Sequence, residues 1–281
     1  MSKTERGIAL VTGASSGIAL VTGASSGIGL VTAQALRRDG YRVFGTSRKP
    51  MPDIEDGISM LVCDVTDDAS VRRAVDEVLS RAGRIDLLVN NAGIGLLGGA
   101  EESTTEQAKA VFDVNVFGVM RMTNAVLPVM RRQRRGRIVN LSSILGLIPA
   151  PYNALYASTK HAVEGYSESL DHEVRTQGIR IVLVEPGVTR TPFEENITRP
   201  DRPLAIYDTV RADAEKLMRD VIGKGDAPEV VAKVVLEAAN ATSPKRRYTA
   251  GKAAGQARFI RRFLPESFVD RSFRKFSRLA D

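Results

Sequence analysis

The sequence predicts a doubly wound α/β fold built on a parallel sheet, and three observations predict it. Apolar runs of strand length recur at residues 18–22, 42–46, 59–63, 87–90, 137–141 and 179–184. Stretches of helical period and length separate most of them, the alternation of βαβ units. The runs are also nearly uninterrupted by polar residues, which requires cover on both faces of the sheet rather than one.

Taken in order, the first element is written twice. Residues 7–16 read GIALVTGASS, residues 17–26 repeat it, and residues 27–32 echo its start as GIGLVT. A helix must follow the strand and turn directly. With the first copy in place that helix would contain Gly17, Gly23, Gly27 and Gly29, at about 1 kcal/mol each relative to alanine. The second copy is therefore the working one, with a helix from near Gly27 to Arg38. This divides the chain into an N-terminal extension (1–17), a sheet domain (18–255) and a basic helical tail (256–281).

Further along, Thr66, Asp67 and Asp68 place oxygen acceptors and negative charge at a helix start. The pattern from Ser103 to Glu106 reads as a capping box opening the longest helix, about 104–132. RRQRRGR at 131–137 closes that helix, with positive charge on its C-terminus and Gly136 at the reversal. The same cluster could suggest nucleic-acid binding, but no aromatic platform accompanies it. Another helical run spans about 155–177. After it, Pro186, Pro192, Pro200 and Pro203 weaken the alternation, so residues 187–226 are expected as an irregular excursion over the strand ends.

Composition excludes several classes. Of 281 residues, 43% are hydrophobic and 26% charged, which is ordinary for a globular chain and argues against disorder or a fibrous repeat. Residues 7–36 carry no charge, yet their threonines, serines and six glycines are unlike a membrane span. Glu5 argues against a basic leader. Cys63 alone cannot form an internal disulfide and reads as a buried small residue, so a reducing cytoplasm is expected. His161 and His172 read as helix-surface residues, and no metal site is expected. A net charge of +7 is a mild excess that names no partner.

Three places carry chemistry. TGASSGIG at 22–29 is a glycine-rich turn whose bare backbone admits a pyrophosphate at a helix start. Such turns also serve tight packing alone. The second strand ends Ser47-Arg48-Lys49, where a dinucleotide-binding unit meets the adenosine ribose. No acid stands there, and Arg48, helped by Ser47 and Lys49, offers charge-assisted donors to a 2′-phosphate, which favours NADP over NAD. A solvated basic loop is the plainer alternative. Tyr156 and Lys160 stand four apart on one helix face, where an ammonium favours a phenolate and brings it toward acid/base work. Ser142 and Ser143 end a strand where a hydroxyl could hold a carbonyl, or merely stabilise a turn.

Together, TGASSGIG, NNAG at 90–93, VNVFG around Asn115, Ser142-Ser143, YASTK at 156–160 and PGVTRT at 186–191 resemble, in order and spacing, the short-chain dehydrogenase/reductase family. The resemblance spans roughly residues 17–195 and extends to about 250. It implies a Rossmann-like fold and hydride transfer between NADP(H) and a carbonyl or alcohol. Tyr156 would be the proton donor, Lys160 would lower its pKa and bind the nicotinamide ribose, and Ser143 would hold the carbonyl oxygen in preference to Ser142. Asn115 would order a water in the proton relay. Gly23, Ser25, Ser26, Gly27, Ile28 and Gly29 would cradle the pyrophosphate. Asp64 and Val65 would lie at the adenine, Asn91, Ala92 and Gly93 beside the ribose, and Pro186, Gly187, Val188 and Thr191 around the nicotinamide. Asn90 would be structural. A homodimer or homotetramer through the helices of Asn115 and Tyr156 is also implied.

The apolar stretch 144–151 and the later excursion point to a hydrophobic ketone, aldehyde or alcohol as substrate. Two alternatives stay open: a 3-oxoacyl-thioester reductase, and a non-catalytic NADP-binding regulatory protein whose pocket the duplication spoils. The tail carries Phe259, Phe263, Phe268, Phe273 and Phe276 among basic residues, with Pro265 splitting two amphipathic helices. Membrane attachment, pocket closure and subunit contact all fit it. Packing against protein is preferred, because a single amphipathic segment without a lipid anchor binds membranes reversibly.

Overall fold

The computed structural model describes residues 17–54 and 57–276. The strands are β1 (Ile18–Val21), β2 (Arg42–Ser47), β3 (Ser59–Val62), β4 (Leu87–Asn90), β5 (Gly95–Leu96), β6 (Gly136–Leu141), β7 (Ile179–Pro186), β8 (Ile197–Thr198) and β9 (Arg247–Ala250). The helices are α1 (Gly27–Arg38), α2 (Asp68–Ala82), α3 (Thr105–Phe112), α4 (Gly118–Gln133), α5 (Ala154–Val174), α6 (Asp208–Gly223), α7 (Pro228–Asn240), α8 (Lys252–Phe263) and α9 (Glu266–Phe276). Seven strands form one parallel sheet in the order β3-β2-β1-β4-β6-β7-β9, while β5 and β8 pair separately.

The second copy of the repeat forms β1 and its turn; the first copy, at 7–16, lies outside the described residues. All four β1 residues are buried because its two sides feed two cores. Ile18 and Leu20 pack with Phe44, Leu88, Met122 and Ile181. Ala19 and Val21 pack with Ala33, Leu36, Val182 and Val235. Helices α1 and α7 cover the second side, α2, α4 and α5 the first. This is a single Rossmann-like domain, and its strand order reverses between β1 and β4, the place where such sheets open a crevice for ligands.

Several local expectations change. The long helix is not uniform: α3 and α4 are joined by a π-helical turn at Asp113–Phe117. By length and composition the run Thr105–Gln133 could cross a membrane, but half of its 18-residue apolar window is buried, with Val119, Met122, Val126 and Met130 packed in the core. The helix cap is Thr104, whose hydroxyl accepts from Gln107 N at 3.2 Å, not Ser103, whose hydroxyl is buried without a partner. Thr104 wins because it also binds Asp201, donating its amide at 2.9 Å. The reversal after α4 uses Arg134 at φ 51° rather than Gly136. Gly136 is needed for space: a Cβ there would sit 2.4 Å from Met130 Sδ. Strand β9 was not expected, since its sequence RYTA buries only Tyr248 and Ala250 at the sheet edge and offers no apolar run.

The excursion after β7 contains β8 and α6, and Glu102 ties it down. This buried carboxylate accepts from Gly99 N at 2.8 Å and Leu204 N at 2.9 Å, and pairs with Arg211. Burial pushes its pKa up, but these donors outweigh burial and hold it below the usual range.

Candidate active site

At the strand reversal lies a cavity of about 1330 Å³. It runs from Arg48 at the end of β2, past the β1–α1 turn, to Tyr156 and on between α6 and α8. The turn is pinned by a contact the sequence reading missed. Thr22 Oγ1 accepts from Asn91 N at 2.9 Å and Ala92 N at 3.0 Å, and Asn91 Nδ2 donates to Thr22 O at 2.9 Å. Thr22 opens the quoted motif, but these partners are supplied by the segment directly after β4.

Gly23, Ser25, Ser26, Gly27 and Ile28 line the cavity. Gly29 does not: a Cβ there would lie 2.2 Å from Gly23 O, so this glycine lets the helix close onto the turn. The start of α1 carries no side-chain cap and no acidic residue, leaving its amide donors and positive dipole end for an anion. A dinucleotide pyrophosphate fits this cradle by that chemistry. Ser47, Arg48, Asp64, Val65, Asn91, Ala92 and Gly93 line the same arm, and Pro186, Gly187, Val188 and Thr191 the next. Arg48 is exposed there. Asp64 Oδ1 accepts from Thr66 N at 2.9 Å and Thr66 Oγ1 at 2.7 Å. Those bonds outweigh burial and, with Arg48 and Arg121 nearby, hold its carboxyl below the usual range.

Ser142, Ser143, Tyr156 and Lys160 come together at the centre. Tyr156 is half-buried; burial pushes its phenol up to about 12, while Ser143 acts in the opposite sense. Lys160 Nζ lies 5.6 Å from the Tyr156 ring centroid and donates to Leu141 O at 2.9 Å. Burial pushes the Lys160 ammonium down to about 8, with Glu164 acting in the opposite sense.

Asn115 is buried in the π-helical turn and does not line the cavity. Its Oδ1 accepts from Ile94 N at 2.9 Å, and its Nδ2 donates to Ile94 O at 2.8 Å and Thr159 Oγ1 at 3.1 Å. It thereby ties the residue before β5 to α5. Asn90 is structural, donating to Asn140 Oδ1 at 2.9 Å. His161 and His172 are exposed on α5. Cys63 is buried, and burial raises its thiol to about 11, which keeps it inert.

The far wall is apolar and was only partly foreseen. Helix α6 presents Val210, Ala214, Leu217, Met218 and Val221 at helical spacing, Phe193 stands 6.1 Å from the Tyr156 ring, and α8 adds Ala257 and Ile260. The stripe on α6 was legible by its i, i+4, i+7 period; that it faces Tyr156 was not.

Behind Pro186, buried Glu185 shares Arg247 with Glu164: Arg247 Nε lies 3.1 Å from Glu185 Oε1 and 2.8 Å from Glu164 Oε2. Burial, then the Glu164 charge, pushes Glu185 up to about 7, against Arg258 and Arg247. Between the ordinary carboxyl range and pH 7 the folded chain thus holds a proton that the unfolded chain has lost, so this contribution to stability falls as pH rises through that window. Glu185→Gln is expected to melt above the wild type at pH 8, with the gap closing by pH 5; for a chain of this size each kcal/mol is worth about 2–4 °C. A gap independent of pH would show Glu185 ionised throughout.

The fold and the cleft at its strand reversal are those of a Rossmann-like α/β domain whose glycine-rich turn fits a dinucleotide. The short chain dehydrogenase family matches residues 17–202, and the chain belongs to that family. It is 50% identical to the 3-ketodihydrosphingosine reductase of Bacteroides thetaiotaomicron over 67% of this chain and 66% of that enzyme, just under two thirds of its length. A short-chain dehydrogenase from Streptomyces avermitilis superimposes with a TM-score of 0.79 at 31% identity, covering 95% of this chain and 96% of that one. The structure of ElxO with NADP bound gives a TM-score of 0.70 at 29% identity, covering 84% of this chain and 97% of that one.

Proposed function

We propose that this chain is an NADP(H)-dependent reductase or dehydrogenase of an extended apolar carbonyl or alcohol. The observation that carries the reading is that Ser143, Tyr156 and Lys160 line one cavity that opens onto the apolar wall of α6. The nicotinamide cofactor would supply the hydride when bound. The chain's own groups do the rest. Ser143 hydroxyl holds the carbonyl oxygen, and Tyr156 hydroxyl, protonated through neutral pH, passes its proton to that oxygen. Lys160 lies on the same helix face, where its ammonium holds the cofactor ribose and favours the phenolate left behind. Phe193 and α6 exclude water and orient the apolar part of the substrate. The similarity to a 3-ketodihydrosphingosine reductase supports a long-chain ketone over a small polar one.

NADPH consumption across a series of ketones of increasing chain length, with a 3-oxoacyl thioester alongside, tests this. Turnover should rise with chain length on the ketones. Preference for the thioester would move the substrate to the acyl-thioester class, and NADPH binding with no turnover across the panel would make the chain a non-catalytic binder.

Arg48 carries the cofactor preference in this reading. A charge-assisted hydrogen bond contributes about 1.5–3 kcal/mol. Arg48→Ala is therefore expected to weaken NADPH binding by about 10- to 100-fold and to leave NADH binding unchanged, as measured by titrating nicotinamide fluorescence. Equal losses for both cofactors would remove Arg48 as the reader of the phosphate.

A further inference from the structure

We infer that the outer face of α8 and α9 is a docking surface for an anionic lipid bilayer. Helix α8 has three differently occupied sides. Ala254, 1% exposed, packs against the body, and Arg258 reaches toward Glu185 at 4.0 Å. Ala257 and Ile260 line the cavity. The remaining side carries Phe259 and Phe263, one turn apart, 59% and 63% exposed, with ring centroids 5.0 Å apart. Arg262 lies 5.8 Å from the Phe263 ring. Helix α9 repeats the division: Val269 is 3% exposed and Ser272 faces the cavity, whereas Phe268 is 53% exposed. Closure of the pocket thus accounts for the inner faces and leaves the phenylalanines uncovered.

Charge decides what covers them. Arg261, Arg262, Arg271 and Lys275 are exposed on these two helices and do not line the cavity, against Glu266 and Asp270. A symmetric contact with a second copy would press this patch onto itself and bring like charges together. An anionic headgroup layer complements the cations, while the rings enter the acyl boundary, as basic amphipathic helices do. Anchored to the body at Ala254, Arg258 and Val269, the two helices offer a preformed surface, which offsets the weakness of one free amphipathic segment. The surface lies on the elements that wall the cavity, and its test does not depend on the reaction assigned to Tyr156.

The experiment is flotation of the full chain with vesicles of phosphatidylcholine alone or mixed with phosphatidylglycerol, at low and high salt, beside sedimentation velocity without lipid. Binding is expected to the mixed vesicles, weaker on neutral ones and at high salt. Phe259→Ser with Phe263→Ser, and separately Arg261→Glu with Arg262→Glu, should each reduce it by about tenfold or more, with melting temperatures unchanged. No binding to mixed vesicles overturns the proposal, as does binding that survives both variants. A chain that ignores vesicles but changes its oligomeric state in the phenylalanine variant would make this face a contact between copies.

Discussion

Tyr156→Phe is expected to lower kcat/KM for ketone reduction by about 10²–10⁴, the usual worth of a positioned general acid, while NADPH binding persists. The substitution deletes one hydroxyl and keeps the ring packed against Phe193, so the fold should hold. Fluorescence titration of NADPH and steady-state turnover measured on the same preparation separate binding from proton transfer. Because burial holds the phenol up at about 12, with Ser143 acting in the opposite sense, the wild-type group is protonated at neutral pH and ready to donate. The reverse reaction needs the phenolate, so alcohol oxidation should quicken with rising pH below that value. A variant that retains more than a tenth of wild-type turnover would remove Tyr156 as the proton donor.

Asp171→Ala is expected to destabilise the fold by about 3–5 kcal/mol, the range for removing one partner of a buried charge pair. Asp171 is 1% exposed near the end of α5 and accepts from Arg180 Nε at 2.9 Å and Ile181 N at 3.0 Å, and pairs with Arg175. Its loss would leave a buried amide and a largely covered guanidinium without their acceptor. Since α5 also carries Tyr156 and Lys160, this carboxylate fixes the far end of the helix that presents both side chains to the cavity. Burial pushes the Asp171 pKa up, but its three donors outweigh burial and hold it below the ordinary carboxylate range. Such a group contributes fully above the unfolded pKa near 4 and loses its contribution as pH falls through the folded value. Thermal melts should therefore show a deficit of about 10 °C from pH 5 to 8, narrowing only in stronger acid. A deficit of a degree or two at neutral pH would mean that water replaces the carboxylate.

Much of the fold and site is written locally. The turn at 22–29 and the helix after it follow from glycines placed where side chains would collide, and β1, β2 and β4 follow from nearly uninterrupted apolar runs. Tyr156 and Lys160 share a face because four residues make about one turn. Other features escaped. The π-helical turn that aims Asn115 at Ile94 leaves no signature in a run that otherwise reads as one helix. Strand β9 is half polar because it closes the edge of the sheet. Thr104 displaces Ser103 as a cap because Asp201, far along the chain, binds it.

The sequence by itself determined the parallel sheet, the glycine-rich turn, the shared face of Tyr156 and Lys160, and membership of the family, since each rests on periodicity or on motifs with short internal spacing, while the choice of Ser143 over Ser142 came from the family resemblance. Only the tertiary structure decided that Lys160 points at Leu141 O, that Glu185 shares Arg247 with Glu164, that α6 walls the cavity opposite Tyr156, and that α8 buries one side and leaves its phenylalanines outside. The physical reason is separation along the chain: burial and charge at these positions are set by partners tens to hundreds of residues away, and local patterning carries no record of which partners the fold brings near.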